Sequence, residues 1–156
     1  MDGLSTWFWF DGTAEEAATF YAELFGGEVT EVQRIPDEVT GSPGGVVTAS
    51  FRIFGHEFHA FNGGTLYQPT AAVSFMVPCD GQPEIDRVWA ALADGGTELQ
   101  CGWVTDRFGI TWQVVPSNLQ QLLSGEGDLE ASRRVWQTLM PMVKIEVAAL
   151  EAALRG

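Results

Sequence analysis

Hydrophobic and polar positions follow two alternating periodicities at the start of the chain. Residues 5–10, STWFWF, form a short bulky run typical of a strand, and the next apolar residues recur every three or four positions, which predicts a helix. These helix positions are Ala17, Phe20, Tyr21, Leu24 and Phe25. Thr13 and Glu16 form a capping box that predicts the helix start, Gly26-Gly27 predicts its end, and residues 28–35 then predict a strand.

The same pattern is repeated near residue 71. Residues 71–79, AAVSFMVPC, predict a strand, and a helix follows that ends at Gly95-Gly96. Its apolar face consists of Ile85, Val88, Trp89 and Leu92. When Trp89 is aligned with Tyr21, the two helix faces match, which indicates an internal repeat.

Each predicted helix is followed by strands that end in a hairpin with a Phe-Gly turn. The hairpins are residues 51–62, FRIFGHEFHAFN, and 104–115, VTDRFGITWQVV. Aligning their turns places His59 on Gln113. Asp106 and Arg107 are expected to shape the second turn, and residues 41–45 to form a loop.

The repeat predicts an α+β fold of two βαβββ modules, which form a cupped eight-stranded mixed sheet with helices outside. The modules span about 1–66 and 67–127, within a single domain of residues 1–127. The chain has 156 residues, of which 46% are hydrophobic, enough for one core of roughly 100 to 150 residues.

A helical arm of residues 128–156 follows the two modules. Its apolar stripe consists of Val135, Leu139, Val143, Val147, Leu150 and Leu154. Pro141 is expected to break or kink the helix just before it. Two interpretations are open, because the arm either packs on its own domain or crosses to a second subunit and covers its exposed sheet edges.

The charge balance limits the partners of the protein. Lys and Arg number 8 against 21 Asp and Glu, a formal charge of -13, so nucleic acid and anionic membrane surfaces are not expected partners. No basic n-region or long apolar run is found, which favours a cytoplasmic location. Cys79 and Cys101 are expected to be free, partly buried thiols.

Several segments together resemble a known family. They are WFDGTAEEAATFYAELFG, FHAFNGG, AVSFMVPCD, QCGWVTDRFGITWQVVP and MPMVKIEVAAL. The chain resembles the PhnB-like, or 3-demethylubiquinone-9 3-methyltransferase-like, branch of the vicinal oxygen chelate superfamily, which includes glyoxalase I, bleomycin-resistance proteins and extradiol dioxygenases. The resemblance implies paired βαβββ modules and a homodimer whose sheets jointly enclose a pocket. It favours placing the arm at the dimer interface.

The resemblance also implies positions for a metal ion. Superfamily enzymes hold a divalent ion on inward positions of the first and last strands of each module, which correspond here to Thr6, His59, Ser74 and Gln113. Only His59 is a good ligand, and a catalytic ion generally needs at least three His, Asp, Glu or Cys ligands. A tightly bound catalytic metal is therefore not expected, and no other cofactor is predicted.

Two functions from different classes follow. The first is a binding protein with a small-molecule pocket formed by Thr6, Phe8, Phe58, His59, Asn62, Ser74, Trp103, Trp112 and Gln113. The second is a lyase, isomerase or oxygenase that uses a divalent metal, or His59 as a base. His59 is thus either a polar strand residue or a pocket acid or base. Methyl transfer is not expected, because the first strand runs through Asp11-Gly12-Thr13 into the helix without a Gly-rich cofactor turn.

Overall fold

Two four-stranded mixed sheets, one in each half of the chain, carry the fold. The computed structural model describes residues 4–41 and 43–156, and Ser42 of the predicted loop 41–45 lies outside the described residues. The chain divides into two units, one ending at Pro69 and the other spanning Thr70–Gly156. This division falls close to the predicted module boundary at residues 66 and 67.

The first unit follows the predicted strand, helix, three-strand order. Its elements are β1 (Thr6–Phe10), α1 (Ala14–Phe25), β2 (Glu28–Arg34), the short α2 (Asp37–Thr40), a 3-10 turn (Pro43–Gly45), β3 (Val46–Ile53) and β4 (His56–Asn62). The strand order is β1-β4-β3-β2. The β1–β4 pair is parallel and the other pairs are antiparallel.

Aromatic side chains fill the space between the first sheet and α1. Phe51 and Tyr21 are fully buried, with ring centroids 5.6 Å apart. Phe8 contacts Tyr21 at 6.2 Å and Phe58 at 5.6 Å. Because burying an aromatic side chain removes a large apolar area from water, this cluster is the main attachment of α1 to the sheet.

The second unit repeats the topology and then continues into the arm. Its elements are β5 (Phe75–Cys79), α3 (Gln82–Ala93), β6 (Thr97–Glu98), β7 (Trp103–Thr105), β8 (Thr111–Pro116), α4 (Leu119–Ser124), a 3-10 turn (Gly125–Gly127), α5 (Leu129–Leu139) and α6 (Val147–Arg155). The strand order β5-β8-β7-β6 matches that of the first sheet. The four predicted face residues of α3 are all buried. The α+β fold with paired βαβββ modules is confirmed.

The C-terminal arm packs on the second unit. Pro141 lies between α5 and α6, as predicted. Part of the predicted stripe is buried in a cluster of Val115, Leu119, Leu122, Val135, Leu139, Ile145 and Leu150. The amide of Gln82 in α3 anchors the arm, donating to Ile145 O at 3.0 Å and accepting from Val147 N at 2.8 Å. The packing on the chain's own unit agrees with the first interpretation, and the location at a dimer interface stays a prediction.

The helices of the described residues are all too short or too polar to span a membrane.

The start of α1 is fixed by a residue distant in sequence. Thr13 occupies the N-cap position but its side chain makes no capping hydrogen bond, so the predicted capping by the Thr13 hydroxyl is wrong. The amide oxygen of Asn62, at the end of β4, accepts from Ala14 N at 3.0 Å. Its amide nitrogen donates to Val46 O at 3.1 Å. Asn62 therefore links the start of α1 to β3 and β4.

The two hairpin turns differ in length. Phe54 and Gly55 form a tight turn in the first unit, with φ angles of 51° and 76°. The second hairpin closes through Asp106 N, which donates to Ile110 O at 2.9 Å. The buried Asp106 carboxylate accepts from Phe108 N at 2.9 Å, Ile110 N at 3.1 Å and Trp112 Nε1 at 2.8 Å. The prediction that Asp106 shapes this turn is confirmed, and the bond to the Trp112 indole is an additional finding.

The Asn62 contact gives a first stability prediction. We expect Asn62→Ala to lower the free energy of unfolding by about 1 to 2 kcal/mol, the usual cost of losing a helix cap, because a first-turn amide of α1 loses its acceptor. Thr13→Ala is the matched control and should change it by less than about 0.5 kcal/mol, since the Thr13 side chain does not cap. Urea denaturation measures both, and equal losses would contradict the assignment.

The Asp106 carboxylate gives a second prediction. Asp106→Ala should lower the free energy of unfolding by about 2 to 4 kcal/mol, because it leaves buried donors without their acceptor. Asp106→Asn should cost less, since one carbonyl oxygen can still serve the turn amides. Thermal and urea unfolding of the two variants would test this order. A loss for Asn as large as that for Ala would show that charge, rather than acceptor geometry, matters most.

Candidate functional site

The face of the first sheet opposite α1 carries a row of aromatic side chains. Phe8 points toward α1, as its contact with Tyr21 shows. Because side chains alternate along a strand, Trp7 and Trp9 point to the other face, which we call the open face of the first sheet. In β4 their register partners are His59 and Phe61, so these four side chains share that face.

His59 is held on two sides on this open face. The Trp7 indole stacks on the imidazole, with ring centroids 4.4 Å apart and an interplanar angle of 24°. Ser50 is the register partner of His59 in β3, and its Oγ lies 2.8 Å from Nδ1. Ser50 is buried, whereas Trp7 is 58% exposed. The result is an oriented imidazole beside an exposed indole surface.

A second aromatic group lies at the end of the same face. Trp9 contacts Phe61 at 5.1 Å and Tyr67 at 5.0 Å, both edge to face. Its Nε1 donates to Gly64 O at 2.8 Å. A Cβ at Gly63 would lie 2.2 Å from the Trp9 ring, so only glycine permits this approach. The Asn-Gly-Gly turn thus fixes the Trp9 ring.

In the second unit the corresponding face has different chemistry. Gln113 is the register partner of Met76 in β5 and of Trp103 in β7, so these three side chains share a face. Gln113 Nε2 donates to Ser74 Oγ at 2.7 Å. Met76 is 52% exposed. The second module therefore presents an amide and hydroxyl pair where the first presents an imidazole and an indole.

Five of the nine predicted pocket residues lie on the other faces of their sheets. Thr6 is the register partner of Phe58, so it lies on the face of the sheet that His59 does not share. Phe8 and Phe58 are buried beneath α1, with 6% and 8% of their surface exposed. Asn62 caps α1. Trp112 is 1% exposed and lies on the face opposite Gln113. The structure therefore does not place these five on one face with His59 or Gln113, and a role for them in binding stays a prediction. His59, Ser74, Trp103 and Gln113 lie on the open faces, and their role in binding stays a prediction.

The connections from the first strand to the helix differ in length between the two units, which explains why the sequence alignment matched Thr6 with Ser74. Trp7 pairs with His59 as Met76 pairs with Gln113, so the counterpart of Ser74 is Ser5. Residues 11–13 connect β1 to α1, whereas only Asp80 and Gly81 connect β5 to α3. An alignment anchored on the two helices is therefore shifted by one residue in the first strand and selects Thr6 instead of Ser5. The prediction also missed Trp7, because an all-aromatic run such as Trp7–Phe10 gives no polarity signal for its two faces. It missed Ser50 and Met76 as well, which strand pairing places beside His59 and Gln113.

The donors of neither unit fit a divalent catalytic ion. His59 is accompanied by the Ser50 hydroxyl and an indole that has no lone pair to donate, and Gln113 by the Ser74 hydroxyl. A neutral hydroxyl or amide oxygen binds such ions weakly without further imidazole or carboxylate ligands. Within residues 4–41 and 43–156, no three His, Cys, Asp or Glu side chains form a group suited to a metal. The absence of a tightly bound metal stays a prediction.

The two thiols lie away from these faces. Both cysteines are free, as expected. Burial, with a contribution from Glu84, raises the pKa of the Cys79 thiol to about 11, so Cys79 stays protonated at neutral pH. Cys101 is half-buried, with Sγ 3.6 Å from Met140 O and 3.8 Å from Leu139 O. It packs against the arm.

Comparisons with known proteins agree with this architecture. The family model described as 3-demethylubiquinone-9 3-methyltransferase matches residues 2–115. A Bacillus cereus PhnB protein, provisionally named for the same methyltransferase, is 31% identical, with a TM-score of 0.68 over 74% of this chain and 99% of that one. None of the curated protein sequences matches this chain.

More distant solved structures share the fold alone. Protein PA1353 from Pseudomonas aeruginosa is 21% identical, with a TM-score of 0.58 over 72% of this chain and 95% of that one. The fosfomycin resistance protein FosX from Listeria monocytogenes is 15% identical, with a TM-score of 0.52 over 78% of this chain and 98% of that one. The family model and the Bacillus cereus relative show that the chain belongs to the PhnB-like, 3-demethylubiquinone-9 3-methyltransferase-like family of the vicinal oxygen chelate superfamily, and the more distant structures share its fold.

Proposed function

We propose that the protein binds a small flat molecule on the open face of the first sheet. The observation that carries this proposal is the exposed Trp7 indole, which is stacked on an imidazole that the Ser50 hydroxyl orients. An exposed, ordered aromatic surface beside a polar group is typical of ligand sites, in which apolar contact supplies affinity and a few polar atoms supply orientation. Trp9, Phe61 and Tyr67 extend the aromatic surface.

The charges favour a neutral or cationic ligand. The first unit contains two basic side chains besides its histidines, Arg34 and Arg52. Arg34 pairs with Glu15 at 2.5 Å and Arg52 with Glu28 at 3.0 Å, so both already neutralise carboxylates. The chain as a whole carries a formal charge of -13, which repels anions and attracts cations. An indole face adds a cation–π contribution for a positively charged ring.

The corresponding face of the second sheet carries different groups. Ser74 and Gln113 offer neutral donors and acceptors, and Met76 offers an adaptable apolar surface. A tightly bound metal is not part of this proposal. The homodimer and the cytoplasmic location expected from the sequence stay predictions.

Methyl transfer is not part of the proposed function either. The family name refers to that reaction, but a name describes the family and not this site. β1 is connected to α1 by Asp11-Gly12-Thr13, and β1 lies beside β4 in a mixed sheet. Class I methyltransferases instead place their cofactor at a Gly-rich turn beside a parallel sheet.

Binding can be tested with planar probes of different charge. We expect proflavine, which is planar and cationic at neutral pH, to bind at physiological salt concentration, and the anionic 1-anilinonaphthalene-8-sulfonate to bind more weakly. Trp7→Ala should weaken proflavine binding about tenfold, since stacking and cation–π contacts together contribute on the order of 1 to 2 kcal/mol. Fluorescence titration measures the dissociation constants.

The control for this titration is Phe54→Ala, which removes an exposed aromatic ring at the hairpin turn of the first unit. Phe54→Ala should leave proflavine binding unchanged. Equal binding by the wild type and Trp7→Ala, or a loss that Phe54→Ala reproduces, would reject the proposed surface. Native mass spectrometry of protein purified without ligand can then identify a natural occupant.

The contact between Ser50 and His59 favours a second candidate function, an enzyme in which His59 acts as a base. The hydroxyl engages Nδ1, and an imidazole that is oriented in this way suits proton transfer through its other nitrogen. In this candidate the exposed side of the Trp7 indole, away from the imidazole that it stacks on, would hold the substrate.

A metabolite-depletion experiment separates the two candidates. If the protein only binds, incubation with a cell extract should consume no compound, with or without added Mn²⁺, Zn²⁺, Ni²⁺ or Fe²⁺. Consumption by the wild type that His59→Gln abolishes, with Trp7→Phe still active, would establish the enzyme. Elemental analysis of untreated protein should find no near-stoichiometric metal. A metal that is lost with His59→Ala would instead support metal-dependent chemistry.

A further inference from the structure

A small cleft lies in the first unit where α1 ends and the β3–β4 hairpin turns. Its volume is about 310 Å³. The residues that line it are Gly26, Gly27, Glu28, Arg52, Phe54 and Gly55. The cleft shares no residue with the surface around Trp7 and His59, so it is a separate feature of the first unit.

Phe54 gives the cleft an aromatic wall. Its φ of 51° is in the left-handed region, which a bulky side chain rarely adopts. The ring is 60% exposed and contacts Phe25 of α1, with ring centroids 5.3 Å apart. Backbone strain of this kind is often found at ligand sites. The turn therefore holds an aromatic ring at the surface, beside the end of the helix.

Glycines leave space in this cleft. Within the part of the chain that the structure describes, no atom beyond the adjacent residues and the backbone of the helix lies within 4 Å of where a Cβ at Gly26 would be. Gly55 is open in the same way. A Cβ at Gly27, by contrast, would overlap the backbone oxygen of Arg52. Gly27 thus brings the end of α1 close to β3, while Gly26 and Gly55 leave room for a ligand.

The corresponding space in the second unit is filled by a cation of the chain itself. Gly95 follows α3 in the left-handed conformation, with a φ of 72°, as Gly26 follows α1 with a φ of 68°. A Cβ at Gly95 would lie 3.3 Å from Arg107 Cβ, so the Arg107 side chain occupies the space that is empty at Gly26. Its guanidinium carbon lies 4.6 Å from the centroid of the Phe108 ring, which is a cation–π contact.

The internal repeat therefore indicates which chemistry the first cleft accepts. Both hairpins turn at a Phe-Gly pair, but Ile53 precedes Phe54 where Arg107 precedes Phe108. Ile53 is buried in the core. The first unit thus has the aromatic ring and the glycine space of the second, with an isoleucine in place of the residue that supplies the guanidinium.

The charges around the cleft favour a cation. Arg52 has Glu28 of β2 and Glu57 of β4 as its register partners, so one guanidinium is flanked by two carboxylates. Arg52 bonds Glu28 Oε1 at 3.0 Å, and a carboxylate can accept several further hydrogen bonds. The C-terminal end of a helix carries a partial negative charge, and the last turn of α1, residues 22–25, contains no basic side chain.

We propose that the cleft binds the guanidinium group of a small molecule that has an aliphatic chain. The guanidinium lies over the Phe54 ring, as that of Arg107 lies over Phe108, and its N–H groups donate to Glu28 and to the last carbonyls of α1. A planar guanidinium suits this place better than an ammonium because it stacks on an aromatic face. The aliphatic chain passes along Gly26. Proflavine has no such chain, so the cleft and the open face select different cations.

Butylguanidinium and butylurea, its neutral analogue of similar shape, test the need for charge. In a nuclear magnetic resonance titration, butylguanidinium should shift the backbone amide signals of Gly26, Gly27 and Gly55, with a dissociation constant on the order of a millimolar, as suits so small a ligand. Butylurea should not shift them. Equal shifts with both compounds, or no shift of these signals at about ten times the expected dissociation constant, would overturn the proposal.

Variants of the cleft test the two groups that contact the cation. Phe54→Leu should weaken butylguanidinium binding about three- to fivefold, because leucine is apolar but has no aromatic face. Glu28→Gln should weaken it as well, whereas Glu15→Gln, at the surface ion pair with Arg34, should not. Trp7→Ala should also leave it unchanged. Circular dichroism verifies that each variant folds. Unchanged binding by Phe54→Leu, or a loss that Glu15→Gln reproduces, would refute the assignment.

Removal of the internal cation tests the comparison between the two units. Arg107→Ala should empty the place over the Phe108 ring and create a second site there. Butylguanidinium should then shift the amide signals of Gly95 and Phe108 in this variant and leave them unchanged in the wild type. The same shifts in both proteins, or none in the variant, would contradict the equivalence of the two places and with it the proposed ligand chemistry.

Discussion

The parallel pairing of β1 with β4 determines most of what the first unit can do. The two strands are far apart in sequence, and their register brings Trp7 beside His59 and Thr6 beside Phe58. Because side chains alternate, this register assigns every residue of β1 either to the α1 core or to the open face. A slip by one residue would exchange Phe8 for Trp7 and place a larger indole under α1. Asn62 reinforces the pairing, since it connects the end of β4 to the first turn of α1.

The module helices α1 and α3 and their order could be predicted from the sequence because their signal is local, whereas the short α2 and α4 were not predicted. Val88, Trp89 and the other apolar residues of α3 recur at helical spacing, and the structure buries that face. The repeat was recognisable for the same reason. The strand register was not, because Trp7–Phe10 is aromatic at every position and the loops before the two helices differ by one residue. A pattern without polar contrast cannot show which side chains face the core.

For single polar residues too, contacts with neighbours in sequence could be predicted, whereas contacts that depend on strand pairing could not. Asp106 could be assigned to its turn, because its bonds to Phe108 N and Ile110 N are local. Its bond to the Trp112 indole depends on how β8 returns along β7, which the sequence alone does not specify. Thr13 had the correct local pattern for a cap, yet Asn62, brought close by the sheet, supplies the bond. Most candidate site residues share this difficulty, since they lie in or beside β1, β4, β5 or β8, and the β1–β4 and β5–β8 pairs join strands that are distant in sequence.

A comparison of the two modules shows where chemistry can vary on this fold. On the helix-facing sides both sheets are packed with large apolar groups, and substitutions there disturb a dense core. On the faces away from the helices, the first module carries Trp7 where the second carries Met76, and His59 where the second carries Gln113. The packing constraint therefore acts on one face of each strand and leaves the other free to change. Family membership, which follows from the packed face and the turns, consequently defines the architecture, whereas the ligand has to be inferred from the open faces of this particular chain.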